Sequence, residues 1–146
     1  INTLAASRLY ARDAIVVDLG TATTYDCVTA DGRFLGGAIA PGLRTALDAL
    51  VGRTAQLRAT PLDAPPRAIG TRTDLAIRSG VVFGAADALE GMVRRLAAEW
   101  PGGGTPLVIA TGGLAASLAP LCPSVRLVDP DLTLVGIRLL TDATRS

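Results

Sequence analysis

The stretch from Ala14 to Asp26 constrains this chain most, because it joins a buried strand directly to a group of polar side chains. The run Ala14–Val17 is apolar and rich in β-branched residues, which predicts a buried strand, and Asp18 falls where that strand should end. Gly20 follows, and then three hydroxyl side chains at Thr21, Thr23 and Thr24. Backbone N–H groups and hydroxyls bind anions, and a carboxylate binds hard cations. The stretch therefore predicts a site for a phosphate group that carries a metal ion.

Turn signals and apolar periodicity predict the elements around this stretch. Asp31 and Gly32 are typical of a tight hairpin turn, so a strand over about Tyr25–Thr29 should pair with one that begins at Arg33. The further predicted elements are helix 1–12, a strand tail over Gly36–Gly42, helix Leu43–Val51, an irregular connector over 53–68, a long helix that Thr73 caps and Pro101 ends, strand Pro106–Ala110, helix Leu114–Leu118, strand Val125–Val128 and helix Leu132–Ala143. This order of strands and helices predicts an α/β domain.

The composition narrows the class of protein. With 146 residues and 49% hydrophobic content, the chain is long enough for one globular domain with a substantial core. It carries no apolar run that could span a bilayer and no signal-peptide core, so we expect a cytoplasmic protein without a membrane partner. A net charge of +1 gives no electrostatic reason to expect a nucleic-acid partner. We interpret Cys27 and Cys122 as reduced thiols that pack in the core.

Two missing residue types exclude several chemistries within these residues. The sequence has no histidine, which excludes imidazole general catalysis, imidazole zinc sites and a Ser-His-Asp triad. It also has no lysine, since all 14 basic residues are arginines. The absence of lysine excludes a Walker A loop with its phosphate-binding lysine, and it excludes Schiff-base catalysis. Phosphate must therefore be bound by other groups.

Four sequence motifs together resemble one family. They are Asp18–Asp26, Phe34–Gly42, Ile69–Thr73 with Ser79 and Gly80, and Thr111–Gly113. In this order they resemble the C-terminal half of type III pantothenate kinases, which belong to the actin, sugar-kinase and heat-shock-chaperone superfamily. The resemblance implies a ribonuclease-H-like domain, also called an actin-like ATPase domain, which is an α/β fold with a mixed sheet flanked by helices. We expect residues 1–146 to form a single domain, the C-terminal half of a two-domain kinase.

The resemblance also implies a reaction, its cofactors and its site residues. The family transfers a phosphoryl group from ATP to pantothenate, the first step of coenzyme A biosynthesis, with magnesium and potassium as cofactors, and its members are homodimers. By position, Asp18 would bind potassium and Thr73 would contact pantothenate. The residues at the ATP would be Gly20, Thr21, Thr23, Thr24, Gly112 and Gly113. Of these, Thr21 would bind phosphate, and the last two glycines would border the adenosine.

The catalytic base is not expected among these residues. In the family an aspartate of a Gly-x-Asp-Arg motif serves as the base, and that motif precedes the segment matching helix 1–12. The resemblance therefore implies that the base and the N-terminal domain lie upstream of Ile1, and we expect the isolated chain to be inactive without that half. Asp18 and Asp26 are poor replacements, because a carboxylate that binds a cation is a weak proton acceptor.

Several alternatives stay open. The chain is either half of a kinase or a non-catalytic regulatory or assembly module, similar to the accessory transcription factors that resemble type III kinases. Asp26 is either a metal or water ligand or a structural aspartate. The Thr111–Gly113 turn either borders a ligand or is only a tight turn. Gly80 and Gly84 share a helix face, and we favour a subunit interface there over packing within the domain.

Overall fold

The computed structural model describes residues 1–52 and 61–145, so part of the predicted connector, residues 53–60, lies outside the described residues. The strands are β1 (Ala14–Leu19), β2 (Ala22–Val28), β3 (Phe34–Pro41), β4 (Leu107–Thr111) and β5 (Leu127–Val128). The helices are α1 (Asn2–Tyr10), α2 (Leu43–Val51), α3 (Thr73–Arg78), α4 (Gly84–Ala98), α5 (Ala115–Leu118) and α6 (Leu132–Thr144). None of the helices in the described ranges is long and apolar enough to cross a membrane.

The strands form one mixed sheet with β1 at its centre. The order across the sheet is β3-β2-β1-β4-β5. Short hairpin connections make β2 antiparallel to both β1 and β3. In contrast, β4 reaches β1 through a helical crossover and pairs with it in parallel. β5 also pairs in parallel with β4. The predicted α/β class, with a mixed sheet and flanking helices, is confirmed.

Side chains alternate along β1 and divide the core into two layers. The β1 residues that face the larger layer are Ile15, Val17 and Leu19. Leu89 of α4 and Leu118 of α5 cover this side of the sheet. Val16 faces the opposite side, where it packs with Ala5 of α1 and Leu132 of α6. Burial on both faces explains why β1 is a continuous apolar run rather than an alternating one.

The two cysteines lie in the larger core layer. Both are buried and unpaired, which agrees with the interpretation as packing thiols. Burial raises the pKa of Cys27 and of Cys122 to about 11, so neither thiol ionises at neutral pH.

Helices α1 and α6 pack side by side on the smaller layer, and small residues let them approach. Ala5 of α1 is fully buried. A Cβ added at Gly136 of α6 would lie only 2.5 Å from the carbonyl oxygen of Ile1. At the other end of α1, the Tyr10 hydroxyl donates to Asp129 Oδ2 at 2.7 Å. Burial, followed by this hydrogen bond, raises the pKa of Tyr10 to about 12. These contacts hold α1 over the sheet.

The predicted long helix contains a π-helical turn, which separates α3 from α4. Helix α3 runs directly into this wide turn at Ser79–Phe83, and α4 follows without a break in the chain direction. Such turns insert one extra residue into a helix and are frequent at functional sites. The periodicity of apolar residues does not reveal a turn of this kind, because apolar residues occupy more than one face of this helix.

The apolar face predicted for this helix also divides in the structure. The periodicity predicts that this face consists of Ile77, Val81, Ala85, Ala88, Leu89, Met92, Val93, Leu96 and Trp100. Leu89 and Val93 lie in the core as predicted. Ile77 and Val81 instead line a surface groove. Val82, which the predicted face omits, is 2% exposed and belongs to the core. Two neighbouring stripes of the helix are apolar, and the sequence does not distinguish the stripe that meets the sheet from the stripe that borders the groove.

We predict that Asp13→Ala lowers the free energy of unfolding by about 1–3 kcal/mol. The carboxylate of Asp13 accepts a hydrogen bond from Trp100 Nε1 at 2.8 Å and another from the Ala30 backbone N–H at 2.9 Å. Because Trp100 is 5% exposed, the substitution leaves a buried indole N–H without its acceptor. Urea unfolding followed by the fluorescence of this single tryptophan measures the change.

The control is Asp48→Ala, on the exposed surface of α2. It should change the unfolding free energy by less than about 0.5 kcal/mol. Equal stability of the two variants would contradict the anchoring role of Asp13.

Candidate functional site

Asp18 lies near the carboxyl end of the central strand, with a hydroxyl residue on each neighbouring strand. In the sheet register it is opposite Thr24 of β2 and Thr111 of β4. Side chains of residues aligned in register project from the same face of a sheet, and here that face is the one that α1 and α6 cover. The predicted position of Asp18 at the end of a buried strand is confirmed. Crevices at the carboxyl ends of strands are where open α/β sheets bind ligands.

One oxygen of Asp18 is bound by a side chain from α1. Asn2 Nδ2 donates to Asp18 Oδ2 at 2.9 Å, and Thr133 of α6 donates from Oγ1 to Asn2 Oδ1 at 2.7 Å. Neither residue was predicted as a site residue from the sequence. Asn2 and Thr133 are 131 positions apart, and no motif or periodicity connects them.

Two glycine turns keep bare backbone next to the other oxygen of Asp18. A Cβ added at Gly112 would lie 2.6 Å from Asp18 Oδ1 and 2.8 Å from the Leu19 backbone. Gly112 also has a φ of 92°, which side chains rarely allow. A Cβ added at Gly20 would lie 3.6 Å from the same oxygen. Since Asn2 occupies Oδ2, Oδ1 is the oxygen that faces these turns.

Thr111 adds a buried hydroxyl with no partner. Among the buried side-chain atoms that the structure describes, Thr111 Oγ1 is the one without a hydrogen bond, and the residue is 1% exposed. Leaving such a group unsatisfied costs about 1–3 kcal/mol, so proteins rarely do so without a bound water, ion or ligand. From the sequence, Thr111 was predicted only to open the turn at Gly112.

The predicted hydroxyl loop after Asp18 is shorter than expected. Gly20 and Thr21 form a tight turn, and β2 already begins at Ala22 rather than near Tyr25. Only Thr21 is therefore in the turn, where it is exposed. Thr23 is 5% exposed and points toward the larger core layer, while Thr24 lies on the Asp18 face. The strand pairing separates three hydroxyls that are adjacent in sequence, because successive strand residues face opposite sides.

Asp26 lies on β2, one strand over from Asp18 and on the same face. It is opposite Val16 in the register. Burial raises the pKa of Asp26 above its ordinary value, and the nearby Asp18 carboxylate acts in the same direction. Within residues 1–52 and 61–145 no three acidic, cysteine or histidine side chains cluster closely enough to hold a metal ion by themselves. A cation at Asp18 would need further oxygen ligands from a bound molecule or water.

A large groove opens beside this site. Its volume is about 970 Å³, and its walls come from the end of β3, the start of α2, the segment before α3, and the helix that follows. Gly80 and Gly84 lie on its surface, and a Cβ added at either would meet nothing within 4 Å. Neither glycine is therefore in close contact with another described part of the chain.

Thr73 lines the groove, but it is not the helix cap that the sequence predicted. The N-cap of α3 is Arg72, and Thr73 is the first helical residue and makes no capping hydrogen bond. Asp74 lies in the first turn, where Arg72 Nε and Nη2 donate to its carboxylate at 3.0 and 2.8 Å. The chain enters the helix one residue earlier than the sequence indicated, and Thr73 is exposed at the groove.

The Thr21 turn and the groove are physically joined at the start of α2. The Thr21 carbonyl accepts a hydrogen bond from the Gly42 N–H at 3.1 Å and another from Thr45 Oγ1 at 2.7 Å. A Cβ added at Gly42 would lie 2.3 Å from the Gly20 carbonyl oxygen, so only glycine allows this approach. Gly42 also lines the groove. The turn beside Asp18 and the groove therefore share one rigid wall.

Comparison with known proteins assigns the chain to a family. The family model described as type III pantothenate kinase matches residues 1–95. The chain belongs to the type III pantothenate kinase family. Asp18, the Thr21 turn, the start of α2 and Thr73 all fall within the matched residues.

Curated members of this family align with most of the chain. Type III pantothenate kinases from Thermomicrobium roseum and Thermus thermophilus are 48% identical over 137 residues and 56% identical over 123 residues. These alignments cover 94% and 84% of this chain, but only 52% and 48% of the relatives. The chain therefore spans about half the length of the curated relatives it matches.

Solved structures share the fold. A protein from Campylobacter jejuni described as a Baf family transcriptional activator has a TM-score of 0.63 at 24% identity, over 97% of this chain and 62% of that protein. The activator of 2-hydroxyisocaproyl-CoA dehydratase from Clostridium difficile, solved with bound ADPNP, has a TM-score of 0.57 at 14% identity, over 92% of this chain and 60% of that protein. At these identities the likeness concerns the fold alone, and it confirms the predicted actin-like ATPase class.

We predict that Gly112→Ala lowers the free energy of unfolding by about 2 kcal/mol or more, because it combines a strained backbone angle with overpacking against Asp18. Gly113→Ala is the matched control, since a Cβ at Gly113 would meet nothing within 4 Å and its φ is ordinary. It should leave stability within about 0.5 kcal/mol of the parent. Thermal unfolding of both variants tests this, and a Gly112 variant as stable as the Gly113 variant would contradict the close approach.

Proposed function

We propose that this chain is the C-terminal, nucleotide-binding and cation-binding half of an enzyme that transfers a phosphoryl group from ATP to pantothenate. The product is 4'-phosphopantothenate, the first intermediate toward coenzyme A. One observation carries the proposal: in a member of the type III pantothenate kinase family, Asp18 directs a free carboxylate oxygen toward the bare backbone of Gly112. A carboxylate beside exposed glycine backbone suits a cation held together with phosphate.

The donors around Asp18 fit a cation that is shared with the nucleotide. Asp18 supplies one carboxylate, and the buried Thr111 hydroxyl has capacity for one more contact. Potassium would be held by Asp18, and magnesium would be held chiefly by the phosphates, which is usual for ions at transferring phosphoryl groups. Bound there, a cation neutralises charge on the phosphate oxygens. The role of this chain is then to orient Asp18 and to limit the space around it.

The ATP would lie along the two glycine turns. Thr21 is exposed in its turn, so its hydroxyl and the neighbouring backbone can contact phosphate, with Gly20 allowing close approach. Gly113 is exposed next to Gly112, and these two glycines would border the adenosine. Thr24 would shape the site from the Asp18 face. Thr23 would shape the same turn indirectly, through its packing in the core beneath it.

Pantothenate would bind in the groove, in contact with Thr73. The shared wall at Gly42 would set the distance between the nucleotide turn and this substrate. Gly80 and Gly84 lie open at the groove surface, so we infer that a second copy of the chain packs there in a homodimer. Asp26 would help to shape the cation side of the site, either through water or as a structural carboxylate.

The proton acceptor for the pantothenate hydroxyl would come from outside this half. Asp18 is assigned to the cation, which stabilises its ionised form and makes it a weak base. Phosphoryl transfer depends mainly on positioning and charge stabilisation, and these are the tasks that the residues of this half can perform.

We predict that the full-length protein phosphorylates pantothenate in a potassium-dependent reaction and that Asp18→Asn lowers its kcat/KM by about 100-fold or more. Asp48→Asn, at an exposed position of α2 that does not line the groove, should stay within about 2-fold of the parent. Residues 1–146 alone should show no turnover. Formation of 4'-phosphopantothenate, followed by mass spectrometry with and without potassium, measures all four samples.

Two outcomes would contradict the proposal in different ways. Turnover by residues 1–146 alone that is lost in Asp18→Ala would place the whole reaction in this half. A full-length protein that binds ATP but never phosphorylates pantothenate would favour the non-catalytic regulatory module instead.

We predict that Gly84→Leu raises the KM for pantothenate by about 10-fold and shifts the protein toward monomer, because the side chain fills the groove. Gly84→Ala is the control, since it adds only a methyl group and improves helix propensity by about 0.8–1 kcal/mol. Steady-state kinetics and sedimentation velocity on the full-length protein provide the two readouts. Unchanged KM and unchanged association in the Gly84→Leu variant would rule out both roles of the groove.

A further inference from the structure

We propose that Thr133 and Asn2 form a hydrogen-bond relay that positions Asp18, holding Oδ2 so that Oδ1 is presented to the ligand at the glycine turns. Both residues would be positioning residues, since each acts on the ligand only through Asp18. The inference rests on the proposed function, because it specifies how the proposed cation-binding and phosphate-binding carboxylate is oriented.

The chemistry of the groups fixes the direction of the relay. An ionised carboxylate can only accept hydrogen bonds, so the amide nitrogen of Asn2 must face Asp18 Oδ2. The amide oxygen of Asn2 then faces Thr133, whose hydroxyl must donate to it. A reversed Asn2 amide would place its oxygen against the carboxylate. The carboxylate therefore selects the orientation of the amide, and the Thr133 hydroxyl secures that orientation by donating to the amide oxygen.

The packing of the two helices holds the relay in place. Asn2 is the first residue of α1, and Thr133 is the second residue of α6. Gly136, one turn beyond Thr133, is the residue that lets α6 approach the start of α1 closely. Leu132, next to Thr133, is fully buried in the smaller core layer. Both relay residues are half-buried, so water competes only in part for their hydrogen bonds.

The relay matters because a carboxylate turns readily about its last side-chain bond, whose torsional preference is broad. A ligand at Gly112 requires Oδ1 to point in one direction. The space there is narrow, because a Cβ added at Gly112 would lie only 2.6 Å from Oδ1. Outer-shell partners of this kind commonly change ligand or metal affinity by about 10-fold to 100-fold when they are removed. The relay also ties the orientation of Asp18 to α6, whose sequence lies more than 100 positions away from β1.

The test measures the affinity of the full-length protein for magnesium ADP in potassium chloride by isothermal titration calorimetry. Asn2→Ala should weaken binding by about 10-fold or more, and Thr133→Val by about 3-fold or more. Thr133→Ser keeps the hydroxyl and should restore binding to within about 2-fold of the parent. Thr141→Val is the matched control on α6, because its exposed hydroxyl bonds only within the helix, to the Ile137 carbonyl at 2.9 Å.

A second readout separates failure of the relay from failure of the proposed function. The side-chain amide resonances of Asn2, observed by NMR without ligand, should shift in Thr133→Val and stay in place in Thr141→Val. If the parent protein binds no nucleotide, the proposed function fails, and a shift confined to Thr133→Val still supports the relay. An unshifted Asn2 amide in Thr133→Val overturns the relay. So does magnesium ADP binding that is equally strong in Thr133→Val and Thr133→Ser.

Discussion

The structure depends on the burial of β1 between two helical layers. A strand that is apolar on both faces must be covered on both faces, and α1 with α6 on one side and α4 with α5 on the other provide that cover. Asp18 cannot take part in this burial, because an ionised carboxylate without partners is costly in an apolar core. It is therefore placed at the rim, where the Asn2 amide binds one of its oxygens.

The same constraint organises the surroundings of Asp18. The strand register brings Thr24 and Thr111 beside it, and close backbone contacts at Gly112 leave no room for a side chain. On the next turn, Thr21 is bonded to the start of α2, which also forms one wall of the groove. In a member of the type III pantothenate kinase family, this geometry places a candidate phosphate turn and a candidate substrate groove on one rigid support.

Local features of the fold were predictable from the sequence, and features that depend on distant contacts were not. The buried strand before Asp18, the Asp31-Gly32 hairpin and the order of elements follow from residue type and short-range spacing. The prediction of Thr73 as a helix cap was wrong, and the predicted long helix contains a π-helical turn that the sequence did not indicate. A cap depends on where the preceding chain enters the helix, and a π-helical turn at 79–83 depends on packing on two sides. Neither feature can be predicted from a short window of sequence.

By itself, the sequence determined the chemical identity of the site: a carboxylate at a strand end, glycines at two turns, and no lysine or histidine to act in their place. Only the tertiary structure decided which groups surround that carboxylate. Asn2 and Thr133 meet because Gly136 lets α6 approach α1, and Thr111 is buried beside Asp18 because β4 pairs with β1 in parallel. These contacts join residues that are far apart in the sequence, 131 positions for Asn2 and Thr133, and their geometry arises only when the two layers close over the sheet.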